Sequence, residues 1–264
     1  MLSFKSTFAT LAVVGAVSVQ AITVSDQCQS TLTQLVLSPS SQCLNAQALI
    51  GLATTSADAS LVGPINNWLT GLCSQAACSN DTLSAIVTNI TSGCSSDLQS
   101  AGVGTVNTQQ LIPIVQQAYP TVRKIACLTD TQNSKGLCVT ETLTSLEGQV
   151  GTLSTNAIQS LAQQISQGNL PNVSSSTICT DCTKAAYNII NTDYPSLINS
   201  NANSSVAQTC GSSFTDGSNP STVVQGGSNN TANAAASEGI LTATNPVGFI
   251  FTLMGFGSVF VLAA

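Results

Sequence analysis

The chain has 264 residues, with five basic against eleven acidic side chains, a net charge of −6 and no histidine. So few cations cannot form a basic patch, which excludes nucleic acid as a partner. The absence of histidine excludes Ser-His-Asp and Cys-His triads and all imidazole-based metal sites. We therefore expect a protein that is not an enzyme and that needs no metal or cofactor.

The first 21 residues have the pattern of a secretory leader. Lys5 precedes an apolar run from Phe8 to Val19, and Val19-Gln20-Ala21 offers a small-residue cleavage site. This combination is typical of a signal peptide and is too short for a membrane span. We assign residues 1–21 to the leader and expect the rest of the chain in the secretory pathway.

All ten cysteines follow this leader. They are Cys28, Cys43, Cys73, Cys78, Cys94, Cys127, Cys138, Cys179, Cys182 and Cys210. An even number in an oxidising compartment predicts five disulfides. Two alternatives are a redox pair at Cys179-Thr180-Asp181-Cys182 and a zinc site formed by Cys73, Cys78, Cys179 and Cys182. The first lacks a surrounding β-α-β pattern, and secretion argues against the second, so structural disulfides are favoured.

Between the cysteines, apolar residues recur at helical spacing, which predicts an all-α bundle of about seven to nine short helices. The apolar stretches are Leu32–Val36, Leu44–Leu52, Leu83–Ile90, Leu111–Cys127, Leu143–Val150, Ile158–Ile165 and Ala186–Ile190. We expect Asn80 or Asp81 to cap the third stretch and Ser154 the sixth. Prolines should bend the chain after Tyr119 and Tyr194. This disulfide-stapled ectodomain spans residues 22–210.

Few other side chains suggest chemistry. Trp68, Tyr119, Tyr187 and Tyr194 are candidates for a ligand pocket, but single aromatics in such a domain usually belong to the core. Arg123-Lys124 is either an exposed helix turn or a dibasic processing site. The carboxylates Glu141, Glu147, Asp181 and Asp193 are expected to be solvated or to lie near helix ends, rather than to form a glycosidase pair.

Residues 211–233 change in character. Gly, Ser and Asn dominate, and within this stretch no aromatic residue follows Phe214, which predicts a disordered, flexible Ser/Gly/Asn-rich stalk. Five N-glycosylation sequons begin at Asn80, Asn89, Asn172, Asn203 and Asn229. The motif also arises by chance in such a composition, so we expect three or four of these sites to carry sugar.

The C-terminal stretch has the pattern of a glycosylphosphatidylinositol (GPI) signal. Small residues at 233–237 precede a polar spacer, and residues 246–264 are apolar without any charge. We predict attachment at Asn233, with Asn230 and Ser237 as second choices, and removal of residues 234–264. The alternative is a retained membrane span, but the tail has no basic flank.

The cysteines fall into two sets of similar order, within residues 28–94 and 127–210, which suggests an internal duplication; coincidence among short amphipathic helices is the alternative. Cys73-Ser-Gln-Ala-Ala-Cys78, followed by an apolar helix to Cys94, resembles the central segment of the elicitins, small helical proteins that carry sterols. The leader, cysteine-rich ectodomain, stalk and anchor signal together resemble uncharacterised GPI-anchored, cysteine-rich surface glycoproteins of filamentous fungi.

The elicitin resemblance implies a pairing for the cysteines. Its order pairs the first cysteine with the fifth, the second with the fourth and the third with the sixth. That order gives Cys28–Cys94, Cys43–Cys78 and Cys73–Cys127, and leaves four cysteines with three connectivities. Carrying the second-with-fourth pairing over to the second set implies Cys138–Cys182 and Cys179–Cys210.

Two functions are compatible with these features. The first is a non-enzymatic, GPI-anchored glycoprotein with a structural or interaction role at the outer face of the plasma membrane or in the cell wall, where wall glycans are candidate partners. The second is a lipid- or sterol-binding module with an apolar cavity between its helices. A cavity of a few hundred Å³ lined by Leu, Ile and Val would favour the second.

Overall fold

The computed structural model of the chain describes residues 25–100, 107–132, 136–166 and 173–227. Within these residues the fold is all-α, as predicted, with eleven α-helices and two short strands. The helices are α1 (Asp26–Leu37), α2 (Leu49–Ala53), α3 (Val62–Ser74), α4 (Asn80–Gly93), α5 (Ser95–Ser100), α6 (Thr108–Ala126), α7 (Cys138–Val150), α8 (Thr155–Ser166), α9 (Ser175–Ile178), α10 (Asp181–Asp193) and α11 (Ser200–Cys210). The strands are β1 (Leu128–Asp130) and β2 (Val223–Gln225).

Polar caps fix where several helices begin. The N–H of Thr82 donates to the Ser79 side chain, so Ser79 caps α4 one residue before the predicted Asn80 or Asp81. The prediction for α8 is confirmed, because the N–H of Ala157 donates to Ser154 Oγ. In each case a short hydroxyl side chain satisfies a donor that has no partner within the helix.

Helix α6 runs through Pro113 and Pro120 without the predicted interruption at Tyr119-Pro120. The hydroxyl of Tyr194 donates to the Gln117 carbonyl oxygen, in the turn before Pro120, at 2.7 Å. Pro120 removes the N–H that would bond the Gln116 carbonyl, whereas the Tyr194 contact is to Gln117, and that contact attaches this turn of α6 to the residue that follows α10. The bend predicted after Tyr194 is confirmed, because α10 ends at Asp193 and Pro195 begins a 3₁₀ segment.

Five disulfides use all ten cysteines, and none is free. The pairs are Cys28–Cys94, Cys43–Cys78, Cys73–Cys127, Cys138–Cys182 and Cys179–Cys210. The first three are the pairs that the elicitin resemblance implied, and the last two are those expected from carrying its second-with-fourth pairing to the second set, so all five predicted pairs are confirmed. The bond between Cys73 in α3 and Cys127 at the end of α6 joins the two cysteine sets.

Most clusters of the apolar core form around a disulfide. Helix α4 packs against α1 and α6, α10 packs against α6 and α7, and α3 packs against α7. Five clusters of buried residues result, and four of them contain or contact one disulfide each. The fifth joins Val62 of α3 to Leu146 and Leu153. Divided cores of this kind are typical of domains that depend on covalent cross-links.

The flexible stalk predicted to begin after Cys210 needs correction, because residues 211–227 lie on the domain. We call this segment the strap. Phe214 is buried against Tyr187 and Val206. Farther along, β2 pairs antiparallel with β1, and Val224 lies opposite Thr129. One buried aromatic side chain and a strand pairing provide the contacts that the polar composition had seemed to lack. Residues 228–233 lie outside the described residues.

Candidate functional site

The surface carries three of the predicted glycosylation sites. Asn80 and Asn89 are exposed on α4, and Asn203 is exposed on α11. Asn203 Oδ1 accepts a hydrogen bond from the Tyr187 hydroxyl. That contact does not use Nδ2, the atom to which a sugar is joined. Asn172 and Asn229 lie outside the described residues.

The cysteines are committed to structure. Cys179 and Cys182 are bonded to Cys210 and Cys138, not to each other, so they are not a redox pair. Every thiol of the alternative zinc site is also in a disulfide. Asp130 and Glu141 approach Cys182 Sγ, but a disulfide sulfur is not the thiolate ligand that zinc requires.

The aromatic side chains belong to the core and bind other parts of the chain. The Trp68 Nε1–H donates to the Leu44 carbonyl at 2.9 Å, and the Cys78 N–H donates to the Tyr119 hydroxyl at 3.0 Å. Tyr187 and Tyr194 are buried, and burial raises the pKa of both hydroxyls. These contacts place all four aromatics in structural roles.

A groove of about 380 Å³ opens to solvent beside the Cys43–Cys78 disulfide. Its walls are Pro39, Ser40, Gln42, Gln75, Ala76, Ala77, Ser79 and Thr82 together with the two cysteines. Lipid cavities are enclosed and mainly aliphatic, whereas this groove has no Leu, Ile or Val in its lining. The groove gives no support to the predicted lipid-binding cavity.

The two adjacent basic residues have separate structural partners. Arg123 donates from Nη1 to the Leu72 carbonyl oxygen at 2.8 Å and from Nη2 to the Gln75 carbonyl oxygen. It thereby satisfies carbonyls at the end of α3, where the helix dipole favours a cation. Lys124 Nζ lies 3.0 Å from Asp193 Oδ2. Arg123-Lys124 is therefore more than the exposed turn that the sequence suggested.

The carboxylates singled out in the sequence are spread over the domain. Glu147 Oε1 accepts from the N–H of Leu153 at 2.8 Å, beyond the end of α7. Asp193 accepts from Thr121 and Lys124. Asp181 Oδ2 accepts from the hydroxyl of Thr222 in the strap at 2.6 Å. Each of these three acids joins two segments of the chain.

Polar side chains on α10 fasten the strap. Lys184 Nζ donates to the Ser213 carbonyl oxygen at 2.6 Å and to Ser218 Oγ at 2.9 Å. It also forms an ion pair with Asp216 at 3.0 Å. Hydrogen bonds from the Ser218 side chain and backbone, followed by Lys184, lower the pKa of Asp216 to about 2. Charge-assisted contacts of this kind are stronger than neutral ones.

Sequence reasoning missed this fastening, although signals for it were present. Val223-Val224 is a pair of β-branched residues, and Gly226-Gly227 follows after Gln225. Such a pair with a turn signal after it is compatible with a short strand. Lys184 is one of five basic residues in a chain with eleven acidic ones, which makes it a candidate for an ion pair.

The fold and surface define a class, a disulfide-stapled all-α domain that presents sequons to solvent. Comparison with protein-family models, curated proteins and solved structures found no match to this chain. The resemblance to fungal surface glycoproteins therefore stays a prediction. Among the described residues no helix is both long and apolar enough to cross a bilayer. Asn233 and the predicted anchor signal lie outside those residues.

Proposed function

We propose that the chain is a non-enzymatic, GPI-anchored glycoprotein at the outer face of the plasma membrane or in the cell wall, with a structural or interaction role. The observation that supports this most is the use of all ten cysteines in five disulfides. Such a framework persists in oxidising, extracellular compartments and would be reduced in the cytosol.

The surface adds a second line of support. Exposed asparagines in three sequons, together with a surface poor in charge, suit a domain whose solubility depends on polar side chains and attached sugar. The domain would then act through its glycosylated exterior. Cell-wall glycans and neighbouring surface proteins are the partners that suit such an exterior.

Phospholipase C treatment of intact cells tests the anchor. We expect release of the protein, and loss of an epitope placed after Ala264, because the predicted signal 234–264 is removed. Retention of the protein in the membrane fraction together with that epitope would disprove the anchor. An Asn233→Gln variant serves as a matched control, and attachment should then fall or move to Asn230 or Ser237.

Two further measurements test the rest of the proposal. Peptide N-glycosidase should lower the mass of the secreted protein, and Asn80→Gln, Asn89→Gln and Asn203→Gln should each remove one glycan where that site is used. Organic extraction of the purified protein, followed by mass spectrometry, should yield no stoichiometric lipid. A bound sterol or fatty acid would instead favour the lipid-binding alternative.

A further inference from the structure

The strap ends at the disulfide that joins the two cysteine sets. The N–H of Gly226 donates to the Cys127 carbonyl oxygen at 2.7 Å. Gly227 has φ +98°, and a Cβ there would collide with the Cys73 carbonyl oxygen. Only glycine accepts both that backbone conformation and that close approach. The last described residue of the strap therefore lies against the C-terminal end of α3.

Contacts along its whole length keep the strap in this course. Phe214 is buried near its start, and Lys184 and Asn188 of α10 bind its middle; Asn188 Nδ2 donates to the Ser218 carbonyl oxygen at 2.8 Å. The hydroxyl of Thr131 donates to the Thr222 carbonyl oxygen at 2.9 Å just before β2. The strap is consequently held on the domain as far as Gly227, 17 residues beyond Cys210.

This course shortens the tether between the domain and an anchor. Six residues, 228–233, separate Gly227 from Asn233, and a chain of that length spans at most about 20 Å when fully extended. A tether that began after Cys210 would have 23 residues and would reach roughly 75 Å or more. The difference decides whether the domain can turn freely above a membrane.

We propose that the strap holds the ectodomain close to the lipid headgroups, with the C-terminal end of α3 and the Cys73–Cys127 disulfide facing the bilayer. This inference rests on the proposed GPI anchor at Asn233. The two described cations nearest this end, Arg123 and Lys124, already have partners in the domain. The tether, rather than attraction to anionic lipid, therefore sets the orientation, which should be the same over zwitterionic and anionic bilayers.

The chain contains a single tryptophan that can report this orientation. Trp68 lies in α3, five residues before Cys73 and thus about 7.5 Å away along the helix axis. The anchored protein is placed in phosphatidylcholine vesicles that contain dansyl-labelled phosphatidylethanolamine. Energy transfer from Trp68 to the dansyl groups then measures how near this end of the domain lies to the headgroups.

Two insertions of equal length provide the decisive comparison. Twenty Gly/Ser residues placed after Gly227 lengthen the tether by about 25 Å and should lower the transfer at least about threefold. The same twenty residues placed between Cys210 and Gly211 lie ahead of the docked strap and should leave the transfer unchanged, since loop closure costs little extra free energy. Equal losses from both insertions would overturn the proposal.

Separate readouts distinguish failure of this inference from failure of the proposed function. Hydrogen exchange on the full chain should show protection of the Gly226 amide and of β2, whatever the anchor. Exchange as fast as in a free peptide would overturn the docked strap even if phospholipase C releases the protein. Protection without release would disprove the anchor and, with it, the membrane-facing orientation.

Discussion

The body of the domain and the strap are held in place by different means. Residues 26–210 contain every cysteine and are cross-linked five times, whereas residues 211–227 contain none. The strap relies on one buried aromatic ring, a three-residue strand and polar contacts to α10. Order in this chain thus extends beyond its covalent framework, and the two regions should respond differently to the same perturbation.

The largest effect is expected from loss of the disulfide beneath the strap. The double variant Cys73→Ala/Cys127→Ala opens a loop with a sequence separation of 54 residues. The free energy of unfolding should fall by about 4 kcal/mol. The melting temperature, measured by circular dichroism, should fall by about 8–16 °C.

Removal of a second disulfide, with a similar expected loss of stability, serves as a control that distinguishes effects on the body from effects on the strap. Removal of Cys43–Cys78, with a separation of 35 residues, should lower stability by a similar amount but leave the strap amides protected. Removal of Cys73–Cys127 should also expose the Gly226 amide, because the disulfide fixes the backbone at Cys127, whose carbonyl oxygen is the acceptor and is kept in the alanine variant. Identical exchange patterns in the two variants would show that the strap does not depend on the Cys73–Cys127 disulfide beneath it.

The next effect in size concerns the hydrophobic attachment of the strap. Phe214 is 7% exposed, and its ring centroid lies 5.9 Å from that of Tyr187. Phe214→Ala should cost about 3 kcal/mol through lost burial and a residual cavity. Val224→Ala, at a side chain that is 45% exposed, should cost less than about 0.5 kcal/mol and serves as the control in denaturant titrations. Similar values for both variants would contradict this prediction.

A smaller effect is expected from the polar fastening. Lys184→Ala removes three contacts from the strap and should cost about 1–2 kcal/mol, seen first as faster exchange of the β2 amides. Lys124→Ala breaks an ion pair whose lysine side chain is 49% exposed, so it should cost less than about 1 kcal/mol and leave β2 protected. Loss of β2 protection in both variants would show that the effect does not come from the contacts of Lys184 with the strap.

The smallest effect is a loosening of the strap in acid. Because Asp216 has its pKa lowered from 3.8 to about 2 in the folded protein, its contribution is present above pH 4. That contribution should decline as the pH falls from 4 and should be lost below 2. The amide chemical shifts of Gly226 and Gly227 should change over this pH range. In the Asp216→Asn variant most of that pH-dependent change in chemical shift should disappear. The pKa of Asp97 is also lowered, chiefly by a hydrogen bond from the Ser25 side chain. Asp97 does not contact the strap, so its protonation is followed through the amide of Ser25 and not through Gly226.

The same division explains what the sequence could predict. The helical body and the presence of five disulfides were predictable, because apolar spacing and an even cysteine count are local signals, whereas the pairing of the cysteines came from the elicitin resemblance. The course of the strap was not, because Lys184, Asn188 and Phe214 matter only through partners that are distant in sequence. Their fastening required the α10 surface, and composition alone could not reveal it. Helix α6 also continues through Pro120, and the sequence alone could not show the contact of this turn with Tyr194, which lies 77 residues from Gln117.

The linkage between Cys73 and Cys127 also has a consequence during synthesis. Once Cys94 has emerged, Cys28, Cys43 and Cys78 all have their partners within the nascent chain, but Cys73 must await Cys127. At about 5–20 residues per second, the intervening stretch of 33 residues takes roughly 2–7 s to appear. During that interval the Cys73 thiolate can attack the neighbouring Cys43–Cys78 bond and exchange with it. The speed of elongation between Cys94 and Cys127 therefore sets how long a mispaired isomer can accumulate before the native partner arrives.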